Sequence, residues 1–240
     1  MLVFIIPFRN CENYLQECLL SLIHQSDKEW RALIVDDYST DNSVEKIPKD
    51  RRITLIQNKN RMSALPNIHN AITSDYLDDE DIVCILDGDD KLTTADACKI
   101  IMYIYKTYDP LITYGQYITS EGMIGHCRPY TSRTFEYLRN NHFWASHLKT
   151  FKWRLYKQLI TQDPELLCYK NDAGKMYEVA CDVAIMTPLL EIAGFRRTFF
   201  NPYPIYFYRI HPQNDHQVNF NLQIATAAEI YTKRKFVQVF

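Results

Sequence analysis

Ile82-Val83-Cys84-Ile85-Leu86-Asp87-Gly88-Asp89-Asp90 is an apolar run that passes, with no spacer, into three carboxylates around a glycine. Five successive apolar residues read as a strand buried on both faces, the habit of parallel sheets. The acids then fall at the strand's carboxyl end, where open α/β sheets hold their ligands. A calcium-loop reading fails, because the twelfth position counted from Asp87 is Cys98 rather than Glu.

The same pattern recurs outward from this stretch. Residues 2–6 form an apolar run closed by Pro7. Residues 32–35 form another, ending in Asp36-Asp37 and a polar stretch through Ser43, and 53–56 a third. Apolar residues at helical spacing over 14–23 predict a crossover helix with Asn10 or Asn13 as its cap, and 64–72 a second, disturbed early by Pro66. A helix over 95–105 and a strand over 111–117 follow. Alternation of this kind predicts an α/β fold, a mostly parallel sheet flanked by helices.

Beyond Gly115 the regularity fades. Gly122 and Gly125 suggest a hairpin, and residues 130–156 are aromatic and basic. A helix over 176–193 is interrupted at Pro188, a strand covers 204–210 and a closing helix 220–235. With no low-complexity linker and no repeat, the expectation is one domain over 1–240, regular over 1–117 and irregular and aromatic-rich over 118–240.

Composition narrows the function. The chain has 240 residues, 47% of them hydrophobic, so a substantial core is available. Lys and Arg number 27 against 29 Asp and Glu, a net charge of −2 that recruits neither nucleic acid nor an anionic membrane. Only six residues are glycine, none spaced G-x-G and none before Lys-Ser/Thr, which excludes Rossmann and P-loop phosphate cradles. Seven scattered cysteines without a C-x-x-C pair point to a reducing compartment. No leader-like segment and no apolar run of about 18 residues is present, so a soluble cytoplasmic chain is expected.

Two acidic strand ends, Asp36-Asp37 and Asp87-Gly88-Asp89-Asp90, should face one crevice. Gathered carboxylates repel, and hard oxygen ligands of this kind suit Mg²⁺ or Mn²⁺, which would neutralise a diphosphate. The plainer role for any one of these acids, Asp90 in particular, is to cap the following helix. Asp78-Asp79-Glu80-Asp81 reads as a solvated loop, and Lys149, Lys152 and Arg154 as a solvated face.

Several motifs in order resemble the family 2 glycosyltransferases of the GT-A fold. They are Ile5-Ile6-Pro7-Phe8-Arg9-Asn10, then Tyr14-Leu15, Cys18-Leu19, Ser21-Leu22 and Gln25. Val35-Asp36-Asp37-x-Ser39-Thr40-Asp41-x-Ser43, Asn70-Ala71-Ile72 and Leu86-Asp87-Gly88-Asp89-Asp90 follow. The resemblance implies a nucleotide-sugar donor, commonly a UDP-sugar, and an acceptor hydroxyl on a glycan, lipid or protein. It places Pro7, Phe8, Arg9, Asp37, Arg61, Asp87 and Gly88 around the donor, with Asp37 reading the base and Gly88 allowing a close backbone approach. Asp89 becomes the chief ligand of Mn²⁺ or Mg²⁺. Tyr38 stands where the family often has Gly or Asn.

Downstream, Cys181-Asp182 resembles the family's Glu-Asp pair, whose Asp is the catalytic base; the Glu is absent here. Tyr208-Arg209-Ile210-His211 resembles its Tyr-Arg-x-His element, in which His211 completes the metal shell and Arg209 contacts the diphosphate or anchors the turn. The segment Asn141-His142-Phe143-Trp144-Ala145-Ser146-His147-Leu148 has the aromatic content of a sugar-binding wall, with Trp144 and His147 as acceptor contacts, or else of core. Absence of Gln-x-x-Arg-Trp favours single-sugar transfer over processive synthesis. The expectation is an inverting, metal-dependent, non-processive hexosyltransferase, with room for a homodimer surface. The rivals are a degenerate domain of this fold acting as a carbohydrate-binding scaffold, and a D-x-D phosphatase-like hydrolase using Asp87 as nucleophile.

Overall fold

The computed structural model describes residues 1–74, 76–140, 143–214 and 218–240. One eight-stranded sheet organises them, and its first half follows the apolar runs. Strands β1 (Leu2–Phe8), β2 (Trp30–Asp36), β3 (Ile53–Gln57) and β4 (Ile82–Ile85) are parallel, in the order β3-β2-β1-β4. All seven β1 residues are buried. Val3 and Ile5 face one core, and Leu2, Phe4, Ile6 and Phe8 the other. Each fully buried large side chain contributes roughly 1.5–3 kcal/mol. Pro7 is carried inside β1 at no ladder cost, because its missing N–H lies beyond the last residue of β4, while its carbonyl accepts from Gly88 N (3.1 Å).

Helix α1 (Leu15–Ile23) lies over the core containing Leu2, Phe4 and Ile6, and α2 (Ala64–Ser74) over the opposite one. Pro66 sits in the first turn of α2, where its absent N–H has no partner to lose. The expected Asn cap of α1 is not formed: no side chain caps that helix, whose entry bonds run to Cys11 O. Asn10 instead takes a left-handed conformation (φ 51°) and its Oδ1 accepts from Thr40 N (2.8 Å), tying the polar stretch after β2 across the head of α1.

The second half of the sheet is mixed. After β5 (Lys91–Leu92) and α3 (Ala97–Tyr108) come β6 (Ile112–Thr119), the short α4 (Ser132–Glu136), β7 (Lys149–Lys152) and α5 (Trp153–Gln162). Strand β7 inserts antiparallel between β4 and β6, while β8 (Thr198–Tyr208) runs parallel to β6 and pairs antiparallel with β5. The turn at Gly122 returns the chain so that Ile124 bridges Ile118, as expected of a hairpin. Helix α6 (Cys181–Ala193) starts later than its apolar pattern and runs unbroken through Pro188, because Ala180 in a left-handed conformation (φ 56°) sets its first turn. Helix α7 (Phe220–Thr232) closes the described chain.

Lys149 and Lys152 correct the expectation of a solvated face: they are 1% and 5% exposed. Lys152 is held by Glu80 (2.7 Å) and Asp109 (2.9 Å), so Glu80 of the acidic loop neutralises a buried cation. All seven cysteines are free thiols.

Candidate active site

Ending β1, β2 and β4 on one side of a parallel sheet leaves Pro7, Phe8, Arg9, Asp37, Asp87 and Asp89 on a single cleft of about 740 Å³. Its other wall comes from far along the chain: Tyr117 and Tyr208 from β6 and β8, His147 before β7, Asp182 and Val183 from α6, and Phe220 and Ile224 from α7. The volume suits a ligand of several hundred daltons. Asn141 and His142 of the expected aromatic wall lie outside the described residues.

Each acid after β4 has a different environment. Asp90 is buried and structural: Oδ2 accepts from the Tyr206 hydroxyl (2.6 Å) and Oδ1 from Arg209 N (2.7 Å), which pins β8 to the turn. Burial pushes its carboxyl well up, and the charges of Asp89 and Asp87 push it further. Asp87 is pushed up to about 6 by burial; Lys149 pulls it down, and Asp182 and Asp89 raise it again. Asp89 points at the Tyr208–His211 turn, where its Oδ2 meets His211 Nε2 at 2.9 Å. His211 Nδ1 accepts from Gln213 N (3.3 Å), which orients the ring with Nε2 toward Asp89. Arg209 anchors the turn: its Nε donates to Asp89 O (2.9 Å) and its Nη2 pairs with Glu17.

Asp89 lines the cleft and His211, which does not, stands behind it at hydrogen-bond distance; a carboxylate and an imidazole are a donor pair suited to Mn²⁺ or Mg²⁺ when ligand oxygens complete the shell. Among the described residues no three His, Cys, Asp or Glu side chains converge as a closed metal cage. The pair alone would fill only part of a metal shell and leave the remaining positions to a ligand.

Asp182 is the second residue of α6, where the helix dipole favours a carboxylate. Burial works to raise its carboxyl, but the Lys149 charge and hydrogen bond outweigh this and hold it below the usual carboxylate range. Lys149 Nζ donates to Asp182 Oδ1 (2.5 Å) and lies 3.9 Å from Asp87 Oδ2 and 3.2 Å from His147 Nδ1. Although burial favours the neutral amine, Asp182 and Asp87 outweigh it and Lys149 stays an ammonium. His147 is pushed down to about 3 by burial and by Lys149, so it is a neutral ring, stacked on Tyr206 with centroids 4.5 Å apart. Cys11 lines the cleft, but burial and Asp89 push its thiol up to about 12, which makes it inert as a nucleophile.

Four expectations change in detail. Gly88 faces Phe8 rather than the cleft: a Cβ there would come within 2.5 Å of Phe8 Cβ, so the glycine serves the packing of the turn on β1. Arg61 is exposed and off the cleft wall. Trp144 stacks on Tyr130 (5.0 Å) beneath the Arg128 guanidinium and is also off the wall. Asp37 lines the cleft while its oxygens accept from the amides of Met62 (2.7 Å) and Ser63 (3.0 Å), so it orders the loop before α2 as well. Lys149 and Tyr206 were missed from sequence, because a lysine and a tyrosine in aromatic-basic stretches carry no spacing signal. The one available hint was Lys149 beginning a four-residue run that also reads as strand.

Comparisons with known proteins bear on this geometry. A family model for glycosyl transferase family 2 matches residues 3–163. No curated protein matches the chain. Among solved structures, S. aureus TarS residues 1–349 in complex with UDP-GlcNAc is similar with a TM-score of 0.65 and 16% identity, over 91% of this chain and 60% of that one. The mannosyltransferase PcManGT from Pyrobaculum calidifontis, in complex with GDP-Man and Mn²⁺, gives 0.63 and 16% over 94% and 61%. The chain thus spans about 60% of the length of these structures, and the likeness to them is one of fold. No helix among the described residues is long and apolar enough to cross a membrane. With residues 3–163 matched and the acids of two parallel strand ends on one cleft, the chain belongs to glycosyl transferase family 2.

Proposed function

We propose that the protein is an inverting, metal-dependent, non-processive hexosyltransferase that moves one sugar from a nucleotide-diphosphate donor, a UDP-sugar, to an acceptor hydroxyl. The observation that carries this reading is the opening of an ionised Asp182 and of Asp89 onto the same cleft, with His211 behind Asp89 at hydrogen-bond distance. The two solved relatives in complex with UDP-GlcNAc and with GDP-Man and Mn²⁺ support the choice of donor class. Residues 1–117 supply the donor half: Pro7, Phe8, Arg9 and Asp37 take the nucleoside, and Asp37 accepts the base's imide proton. Asp87 faces the ribose and sugar. Residues 118–240 supply the acceptor half, all within a single domain.

Asp182 takes the acceptor proton as the acceptor oxygen attacks the anomeric carbon from the face opposite the diphosphate. Asp89, with His211 beside it, would hold a divalent cation, which when bound would supply positive charge for the departing diphosphate. A screen of sugar nucleotides for Mn²⁺-dependent hydrolysis, with calorimetry of UDP binding, tests the reading. Asp89→Ala should lose metal-dependent nucleotide binding, and Asp182→Asn should bind normally and lose turnover. Undiminished turnover in Asp182→Asn would sink the base, and no binding of any nucleotide would favour the scaffold reading.

A further inference from the structure

Lys149 is a buried cation that the proposed transfer does not use, and its placement is demanding. An ammonium at 1% exposure costs several kcal/mol unless its protons are paired. Strand β7 seats it opposite Ile85, two residues before Asp87, so that it bridges the donor side of the cleft and the first turn of α6. Its contacts treat the two oxygens of Asp182 differently. Oδ1 accepts a hydrogen bond from the ammonium at 2.5 Å, whereas Oδ2 lies 3.9 Å from His147 Nε2, beyond hydrogen-bond range. Asp182 remains one-third exposed to the cleft.

We propose that Lys149 is the positioning residue of the base: its ammonium fixes Asp182 through Oδ1 and leaves Oδ2 as the atom that receives the acceptor proton. This rests on the transferase reading above. The step balances within that reaction. The acceptor O–H breaks with its proton going to Oδ2, the new bond forms from acceptor oxygen to anomeric carbon, and the carbon–diphosphate bond breaks with its electron pair leaving on the diphosphate. Asp182 ends as a neutral acid, and the ammonium keeps Asp87 as counter-charge.

Lys149 is the leading positive charge on Asp182, ahead of His126, and the one that holds an oxygen of that carboxylate at hydrogen-bond distance. Facing it are His147 from the segment before β7, His126 from the loop after β6, Asp87 from the end of β4, Cys127, and the phenols of Tyr117 and Tyr208 from β6 and β8. His147 is a neutral ring, and the phenols, the thiol and Asp87 bring no positive charge. An oxygen held by a cation is a weaker base that stays ionised to lower pH. The acid limb of turnover therefore reports on Lys149 in a way that a packing role does not.

The test is kcat against pH, from 4 to 8, for Mn²⁺-dependent hydrolysis of the UDP-sugar that the wild type turns over, with the full chain and saturating donor. Lys149→Met should raise the acid limb by roughly 1–3 pH units, the effect of withdrawing a cation at this distance. Lys149→Arg, which keeps the charge but moves it, should lower kcat at every pH with the limb unmoved, and it also serves if the Met variant fails to fold. In an Asp182→Asn background Lys149→Met should add no further loss, since both act through one carboxylate. An acid limb that shifts equally in both Lys149 variants, that stays put in Lys149→Met, or losses that add in the double variant would overturn the role while leaving the transferase intact. A wild type that turns over no donor would overturn both.

Discussion

Replacing His147 with Phe makes a strong test of the site's electrostatics, because the ring's environment predicts a slope rather than a single number. The imidazole is pushed down to about 3 by burial and the Lys149 charge, while in the unfolded chain it titrates near 6.5. Below about pH 6.5 the unfolded chain therefore binds a proton that the folded chain refuses. The stability that the neutral ring contributes is whole above 6.5 and drains as pH falls toward 3. The unfolded ring is half protonated at pH 6.5 and almost fully so at 4.5, and one proton is worth about 1.4 kcal/mol per pH unit, so over that span His147 alone removes about 2 kcal/mol. That is a large part of the 5–15 kcal/mol typical of a domain. Phe keeps the stacking on Tyr206 and Tyr208 and loses the titration along with the contact to the Lys149 ammonium, worth about 1.5 kcal/mol. Urea unfolding at pH 7.5, 6.5, 5.5 and 4.5 should show the variant slightly less stable at the top of the range and more stable at the bottom. Parallel stability curves for the two proteins would refute a neutral His147.

Two further outcomes test the frame around the site. Gly88→Ala should cost about 1–3 kcal/mol in chemical denaturation and weaken nucleotide binding, since its Cβ must displace Phe8 or the turn bearing Asp87 and Asp89. Arg139→Ala should cost about 3–5 kcal/mol: the guanidinium holds Glu191 through both oxygens (2.6 and 2.9 Å) and the carbonyls of Ile230 (3.0 Å) and Lys233 (2.8 Å), and its loss strands a buried carboxylate. An unchanged unfolding midpoint would refute either one.

The donor half of the fold was legible because its strands are buried on both faces. The continuous runs at 2–6, 32–35 and 82–86 have few other readings, and the acids that end them mark where the sheet stops. The acidic strand ends placed Asp37, Asp87 and Asp89 at one crevice and the family resemblance added Asp182 and His211, but neither gave their division of labour. Asp90 and Asp89 are adjacent in sequence, yet one is a buried tie to Tyr206 and Arg209 and the other faces His211. That difference is decided by β8, more than a hundred residues on. Gly88 and Trp144 were misplaced for the same reason, since what they pack against, Phe8 and Tyr130, lies across the fold. Lys149 was hidden by a rule that is sound on average: charged residues near aromatics are usually solvated, and this one is buried because Asp182 and Asp87 come to meet it.

The position of β7 between β4 and β6 has a consequence for how the protein is made. The parallel strands β1 to β4 are complete by residue 85, but the strand that covers the free edge of β4 begins at Lys149. At about 5–20 residues per second, a ribosome leaves that edge uncovered for several seconds, with unpaired N–H and C=O groups beside an apolar strand. During synthesis the growing chain therefore presents its most aggregation-prone surface at the strand that carries the acids of the site. Substitutions that delay β7 should reduce the yield of native protein before they affect the stability of what does fold.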